Sequence, residues 1–300
     1  MINTATTFCT YENLYYEMWE TAGRYTEVAQ FQVIGKSHDD RMIPMVKLGH
    51  GATGIFCLAG LHGLDRQMPF YLLGMLKEYA RAWENKWKLE ELYDLRELLE
   101  KWSIYFIPLL NPDGYEIYEK DFFAIRNPIY RQMLRMQEIP CKEFACNGRG
   151  IDLRKNFPTH YYRRKQIHRQ PASENETKAL IRVFQECPGR GLLSFGYAER
   201  CIVYFRQSQS FATNQKNYRL ARHLQKEAGL KTDKKKYHLD DVDPAGRRGY
   251  GSPEQFYAEI CRQPSFRIEI PSGERQEFST QEQTEYREIH TLPLEYLFSL

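Results

Sequence analysis

The stretch GIFCLAGLHGLD, Gly54 to Asp65, predicts a buried strand that runs directly into a polar turn. Its opening part, Gly54 to Gly60, is a continuous apolar run, which is the pattern of a strand covered on both faces of a sheet. Similar runs occur at Ser103 to Leu110 and Pro264 to Ile270, with helical periodicity between them. We therefore expect a single α/β domain over residues 1–300, with a mixed, mostly parallel central sheet flanked by helices.

Apolar spacing and breaker residues predict the boundaries of the other elements. The pattern favours a helix from Leu14 to Ala22, ended by the following glycine, and another from Leu89 to Trp102. The segment from Pro112 to His168 is rich in Asn, Pro and Gly, so much of it should be irregular. Ser173 is followed three residues later by Glu176, which is typical of a capping box at a helix start.

Composition and charge narrow the classes of partner. The formal net charge is +3, which gives no indication of a nucleic-acid or anionic-membrane partner. No stretch approaches the roughly 20 apolar residues of a membrane helix. The N-terminal sequence lacks the basic start and apolar run of a secretory signal, and the 7 cysteines show no disulfide-like spacing. We therefore expect a cytoplasmic protein.

Charged residues follow the predicted buried strands, where sites form in sheets of this type. His62 and Asp65 lie three residues apart, so both could face one zinc ion, while an aspartate there could equally cap the next helix. Arg154 and Lys155 are adjacent cations of the kind that hold a substrate carboxylate. Glu269 stands on an otherwise apolar strand, so it needs either a partner or a site that raises its pKa, which would suit a general base.

Six motifs occur in a fixed order along the chain: GKSHDDRMIPMVKLGHG, GLHGLD, NPDGYE, RGIDLRKNFP, PASENET and SFRIEI. Together they resemble the catalytic domain of zinc carboxypeptidases of the carboxypeptidase A type, from about Tyr11 to about Pro271. They are most similar to the bacterial branch that includes γ-D-glutamyl-meso-diaminopimelate peptidases, which cut peptidoglycan stem peptides. The resemblance implies that a peptide or cell-wall fragment with a free carboxylate is the ligand.

The family's metal motif is altered in two places. His62 matches its first zinc ligand, but Asp65 stands where the family has a glutamate. In LLSFGYAER, Gly196 replaces the histidine that the resemblance implies as third ligand. Because a catalytic zinc keeps three protein ligands, we expect zinc to bind weakly or not at all, unless His160 or His168 supplies the missing one.

The resemblance also implies roles for the remaining cleft residues. Arg126 resembles the arginine that stabilises the oxyanion, and Glu269 resembles the general base. Lys155 replaces the arginine of the family's Asp-Leu-Asn-Arg-Asn-Phe-Pro motif, with Arg154 beside it as a second cation for the substrate carboxylate. Tyr250 lies near the sequence position of a family tyrosine that often closes over substrate, but the two positions are not in clear register.

Three functions of different classes remain open. The chain could be a pseudoenzyme that binds an acidic peptide or peptidoglycan fragment, an active but divergent zinc peptidase with a substitute third ligand, or a non-catalytic scaffold. The presence of Glu269 and Arg126 favours the first two over the scaffold. The altered metal and anchor motifs favour binding over hydrolysis. The sequence thus predicts a metallocarboxypeptidase-family protein whose hydrolytic activity is impaired or absent.

Overall fold

The computed structural model describes residues 10–159, 170–206, 210–231, 237–242, 251–271 and 280–300. Within these ranges the strands are β1 (Ala29–Lys36), β2 (Met42–Leu48), β3 (Gly54–Leu58), β4 (Lys88–Leu89), β5 (Tyr93–Asp94), β6 (Ser103–Ile107), β7 (Gly189–Tyr197), β8 (Cys201–Phe205), β9 (His238–Val242) and β10 (Ser265–Ile270). The helices are α1 (Tyr11–Arg24), α2 (Met68–Asn85), α3 (Leu95–Lys101), α4 (Pro112–Lys120), α5 (Pro128–Arg135), α6 (Asn175–Glu186), α7 (Phe211–Leu230), α8 (Pro253–Glu259), α9 (Thr280–Ile289) and α10 (Leu292–Phe298). None of these helices is both long enough and apolar enough to cross a membrane.

Eight strands form one sheet in the order β1-β2-β6-β3-β7-β10-β8-β9, and β4 pairs with β5 separately. The central strands β6, β3, β7 and β10 run parallel to one another, as do β8 and β9. The β1–β2, β2–β6 and β8–β10 pairs are antiparallel. The expected α/β domain with a mixed, mostly parallel sheet is confirmed. Because the four central strands are parallel, their carboxyl ends meet at one edge of the sheet.

Both faces of the sheet are covered, which explains the continuous apolar run of β3. Ile55 and Cys57 join one apolar cluster with side chains of α1, α2, α3, α7 and α10. Phe56 and Leu58 point to the opposite face and join a second cluster with side chains of α6 and α8. Successive side chains of a strand point to opposite faces, so a strand packed on both sides needs apolar residues throughout.

The first predicted helix is longer at both ends than expected. Thr10 caps its start by accepting a hydrogen bond from the backbone N–H of Asn13, and α1 continues through Gly23 to Arg24. A glycine inside a helix costs only about 1 kcal/mol relative to alanine, so packing of the helix overrides it.

The predicted helix from Leu89 to Trp102 is wrong in its first half. Glu90 and Glu91 have φ values of 49° and 60°, and they form the turn between β4 and β5. Helix α3 begins only after Asp94, whose side chain accepts from two backbone N–H groups of the first turn. An aspartate cap inside an apolar pattern therefore marks the true start.

The segment after β6 is more regular than predicted. Asn111 caps α4 by accepting from the N–H of Gly114, and Pro112 occupies the first turn, so NPDG starts a helix. Asn127 and Pro128 start α5 in the same way. Proline is well placed there because its missing N–H would have no intrahelical partner.

The capping box predicted at Ser173 is also wrong. Glu174 occupies the cap position of α6 without a capping hydrogen bond from its side chain. The Ser173 hydroxyl donates to the Glu174 carboxylate, and the buried Glu176 accepts from the Asn147 amide. The motif that looks like a capping box is part of a buried polar network.

A buried ion cluster joins the β1–β2 turn to the start of α4. Arg41 Nη1 lies 2.7 Å from Asp39 Oδ2 and 2.9 Å from Asp113 Oδ1, and the Ser37 hydroxyl donates to Asp113 at 2.6 Å. All of these side chains are buried. Asp39 also accepts from the backbone N–H groups of Arg126 and Asn127, so the cluster fixes the segment that carries Arg126.

We predict that Arg41→Met lowers the free energy of unfolding by about 3–5 kcal/mol, because it leaves two buried carboxylates without their cation. Urea denaturation measures the change. Arg182→Met is the control, since Arg182 is exposed on α6, and it should change stability by less than about 0.5 kcal/mol. Equal effects of the two substitutions would contradict this role of the cluster.

Candidate functional site

The loop between β3 and α2 carries the first two candidate residues. Gly60 turns the chain away from the sheet with a φ of +64°, where a Cβ would lie 2.9 Å from the carbonyl oxygen of Pro108. In the turn that follows, Asp65 Oδ2 accepts from the backbone N–H of His62 at 3.1 Å. The aspartate is almost fully buried, so part of its hydrogen-bonding capacity already serves the loop.

His62 is oriented by a carboxylate from a second loop. Its Nε2 lies 3.2 Å from Asp152 Oδ1, and the Lys155 ammonium lies 2.6 Å from Asp152 Oδ2. Burial would raise the pKa of Asp152, but the hydrogen bonds and charges of His62 and Lys155 bring this pKa below its usual value. A histidine that donates Nε2–H to a carboxylate leaves Nδ1 as an acceptor, as metal-ligating histidines do.

Gly196 and Glu269 are neighbours at the carboxyl ends of β7 and β10. The two residues are register partners in the parallel ladder, so their side-chain positions share one face of the sheet. Glu269 is 16% exposed, and its Oε1 lies 3.8 Å from Arg267 Nη1. Burial raises the pKa of Glu269, although Arg267 and Arg154 oppose the shift. The pKa of Glu269 is thus shifted upwards, which is the direction that a general base would need.

The guanidinium of Arg154 fills the space in front of Gly196. A Cβ on residue 196 would lie 2.6 Å from Arg154 Nη2 and 3.9 Å from Asp65 Oδ1. Arg154 Nη2 is itself 3.9 Å from Asp65 Oδ2, too long for a hydrogen bond. Its side chain is only 17% exposed, and its Nε is buried without a partner. The guanidinium donates no hydrogen bond to any residue that the structure describes.

A buried ion pair that sequence reasoning missed lies beside this group. Arg267 donates through Nε and Nη2 to the two oxygens of Glu254, each at 2.9 Å, and the Ser194 hydroxyl donates to the same carboxylate. Burial alone would raise the pKa of Glu254, but Arg267 and, beyond it, Arg154 bring this pKa below its usual value. The signal was available, because Arg267 precedes Glu269 by two positions and so shares its face of the strand.

The other predicted site residues are exposed or lie outside the described residues. Arg126 is exposed, and its backbone N–H donates to Asp39. Lys155 is 75% exposed and is the partner of Asp152 described above. The remaining candidates, Tyr250, His160 and His168, lie outside the described residues.

The family to which the chain belongs follows from comparison with known proteins. The sequence model of the zinc carboxypeptidase family matches residues 14–291. The chain belongs to this family. Metallocarboxypeptidase A of Trichophyton rubrum is 24% identical to this family member over 158 residues, which cover 52% of the present chain and 34% of the fungal protein. The match therefore spans only about a third of the length of that relative.

Solved structures of carboxypeptidases share the fold of this family member. Bovine thrombin-activatable fibrinolysis inhibitor, in complex with tick carboxypeptidase inhibitor, aligns with a TM-score of 0.70 at 16% identity, covering 97% of this chain and 96% of the bovine chain. Carboxypeptidase A from Helicoverpa armigera aligns with a TM-score of 0.71 at 14% identity, covering 96% of this chain and 73% of the insect chain. At these identities the likeness concerns the fold alone.

Among the described residues, the donor set falls short of the three protein ligands that the zinc implied by the family would need. His62 and Asp65 are the two conventional donors, and the third position is Gly196, which offers no side chain. The Arg154 guanidinium lies where that side chain would project. Within the described residues, the site thus combines two metal-type donors with a fixed organic cation.

A second group of donor atoms lies elsewhere among the described residues. Nitrogen or oxygen atoms of His38, Glu174 and Glu176 come within 4.8 Å of one another. Asn147 and Ser173 donate to Glu174, and His38 Nε2 lies 3.2 Å from the same carboxylate. These contacts bring the pKa of Glu174 to about 2 against the effect of burial, whereas burial and nearby Asp113 raise the pKa of Glu176 to about 8. One carboxylate is charged and the other protonated at neutral pH, so the chain's own donors account for the group.

We predict that the stability lost in Glu254→Gln depends on pH. At neutral pH the substitution should cost about 3–5 kcal/mol, since it leaves the buried Arg267 without its anion. A carboxylate whose pKa is lower in the folded than in the unfolded state stabilises the fold at pH values above its unfolded-state pKa. This contribution is lost as the pH falls towards the folded-state pKa. The difference between wild type and variant should therefore shrink below pH 4.5, the ordinary pKa of a glutamate side chain.

Urea denaturation between pH 7 and pH 3 measures this difference. The control is Glu186→Gln, because Glu186 is exposed at the end of α6. A Glu254→Gln deficit that stays constant across the range would show that the ion pair is not the cause.

Proposed function

We propose that this zinc carboxypeptidase family member binds peptides through a free carboxylate and that its own peptide hydrolysis is impaired or absent. The observation that carries the proposal is the Arg154 guanidinium, which is mostly buried at the carboxyl edge of the sheet while its N–H groups donate to no described residue. An arginine with free donors in a cleft is suited to a planar carboxylate, which it can hold bidentately.

The charges around Arg154 support a ligand of this kind. Arg267 and Glu254 neutralise each other, as do Lys155 and Asp152. Asp65 attracts Arg154 but lies too far away to accept a hydrogen bond. No described residue accepts from the guanidinium, so its donors are suited to meet a carboxylate, and the exposed Lys155 ammonium lies one residue away.

The same geometry argues against efficient hydrolysis. Glu269 is present with a raised pKa, as a general base requires, but the part of the site that the structure describes brings together only two conventional metal donors. Activation of water by zinc normally needs three protein ligands and an open position. We propose that the cleft has kept peptide recognition without the metal chemistry.

The ligand class that we favour is an acidic peptide, such as a peptidoglycan stem peptide. The motifs resemble the γ-D-glutamyl-meso-diaminopimelate peptidase branch, and stem peptides of that kind carry free carboxylates. We further propose that residues 1–300 form one carboxypeptidase-like domain that acts in the cytoplasm on imported wall fragments.

We predict that a tripeptide with a C-terminal carboxylate raises the Tm, whereas the same peptide with a C-terminal amide does not. A ligand at about 100 times its Kd stabilises a protein by about 2.7 kcal/mol, which corresponds to several degrees in Tm. The double variant Arg154→Ala/Lys155→Ala should lose this shift. Thermal-shift measurements on peptide pairs, including acidic stem peptides, test the proposal.

The control is Lys178→Ala/Arg182→Ala, which removes the same charge from the exposed side of α6 and should keep the shift. Equal shifts with acid and amide peptides, or an undiminished shift in the cleft variant, would contradict carboxylate binding.

Hydrolysis is followed in parallel by mass spectrometry with and without added zinc. We expect no release of the C-terminal residue under either condition. Steady zinc-dependent release would instead support the active divergent peptidase, with its third ligand supplied from outside the described residues.

A further inference from the structure

We infer that Gly196 and Arg154 are a matched pair in which a guanidinium tethered to the chain takes the place of the family's metal ion. The inference deepens the proposed function and rests on its interpretation of the site as non-hydrolytic. It goes further in one respect: the site excludes zinc as well as lacking a ligand for it.

The first argument is steric. Only 2.6 Å would separate a Cβ at residue 196 from Arg154 Nη2, a distance that non-bonded carbon and nitrogen atoms do not adopt. The strand cannot retreat, because β7 is held by parallel ladders to β3 on one side and β10 on the other. Glycine at position 196 is therefore what allows the guanidinium to lie there.

The second argument concerns charge. Asp65 is 2% exposed and the Glu269 side chain is 16% exposed, so both carboxylates are largely withdrawn from water. Such carboxylates need a nearby cation, and Arg154 acts on both: it is 3.9 Å from Asp65 Oδ2, and after Arg267, which lies 3.8 Å from Glu269, it lowers the pKa of Glu269 against the effect of burial. A zinc ion would bring a second positive centre into the same space.

The third argument concerns how Arg154 is placed: its backbone is held by a hydrogen bond, whereas its guanidinium is held by none among the described residues. The backbone N–H of Arg154 donates to the Asp152 carboxylate in a single 3-10 turn, Leu153–Lys155, while the guanidinium donates to no described residue. The turn thus delivers the side chain to the space that Gly196 leaves. There it acts as a cation beside the acidic side chains of Asp65 and Glu269.

This pairing predicts how zinc binding can be restored. Gly196→His with Asp65→Glu supplies the family's donor types but keeps the Arg154 guanidinium, whose flexible end must move to admit the imidazole and whose charge still opposes a bound cation, so zinc affinity should stay near that of wild type. Adding Arg154→Asn, which supplies the residue of the family's Asp-Leu-Asn-Arg motif, removes both the clash and the charge. The triple variant should bind zinc about 100-fold more tightly than the double variant or better.

The experiment is a zinc titration against a chromogenic chelator, with elemental analysis after dialysis against micromolar zinc. We expect about one zinc per chain in the triple variant and almost none in wild type and the double variant. The matched control is Lys155→Asn/Gly196→His/Asp65→Glu, which removes a neighbouring cation that does not lie over residue 196. It should behave like the double variant.

The inference would be overturned if the double variant bound zinc as tightly as the triple variant, or if the Lys155 control gained as much affinity as the Arg154 variant. Stoichiometric zinc in wild type that is lost in His62→Ala would also overturn it. Circular dichroism confirms folding of each variant. Should the triple variant unfold, Arg154→Asn alone decides, because zinc should raise its Tm more than that of wild type, and an equal rise contradicts the inference.

The peptide experiment and the zinc experiment fail separately. The zinc titration contains no peptide, and the thermal shift with peptides contains no zinc. Failure of peptide binding would thus leave the exchange of metal for guanidinium standing, and zinc binding in the double variant would leave carboxylate binding by the cleft standing.

Discussion

A positive charge at the carboxyl edge of the sheet is the constraint on which the site depends. The parallel arrangement of β3, β7 and β10 carries Asp65 and Glu269 to this edge, where both are largely buried. Carboxylates withdrawn from water must be protonated or compensated, and the requirement holds whether or not the protein performs chemistry. In this chain Arg154 supplies positive charge beside both carboxylates, and Arg267 adds to it beside Glu269.

Other charged side chains beside Arg154 form hydrogen-bonded ion pairs, whereas the Arg154 guanidinium forms none with a described residue. The fork of Arg267 meets both oxygens of Glu254, and Ser194 completes the pair. In the adjacent loop, Asp152 is satisfied by the ammonium of Lys155 and by the ring of His62. Arg154 alone meets its acidic neighbours without a hydrogen bond to a described residue, so its donors can be shared with an incoming ligand.

Sequence reasoning succeeded where a residue's position follows from strand periodicity. The apolar run of β3 is buried on both faces because the sheet is parallel and doubly covered, and the meeting of Gly196 and Glu269 follows from parallel strands that end at one edge. Sequence reasoning failed where local hydrogen bonds determine which element a residue belongs to. Asn-Pro starts two helices rather than turns, and Glu176 serves a buried amide rather than a cap. The place of Arg154 could not be predicted, because it depends on the direction in which one 3-10 turn projects a long side chain.

The altered positions gain a common explanation once Gly196 and Arg154 are considered together. A histidine at position 196 would compete with the guanidinium for the same space, and without the guanidinium or a metal Asp65 would lose the cation 3.9 Å from it, whereas Glu269 would keep Arg267 at 3.8 Å. We infer that each change favours the other, because glycine leaves room for the guanidinium and the guanidinium supplies positive charge beside Asp65 and Glu269. Asp65 fits this arrangement as well, since its carboxylate, one methylene shorter than glutamate, caps the loop at the His62 N–H and still lies within ionic reach of Arg154. We infer that the glycine at the position of a family metal ligand and the cation beside it belong to one structural change.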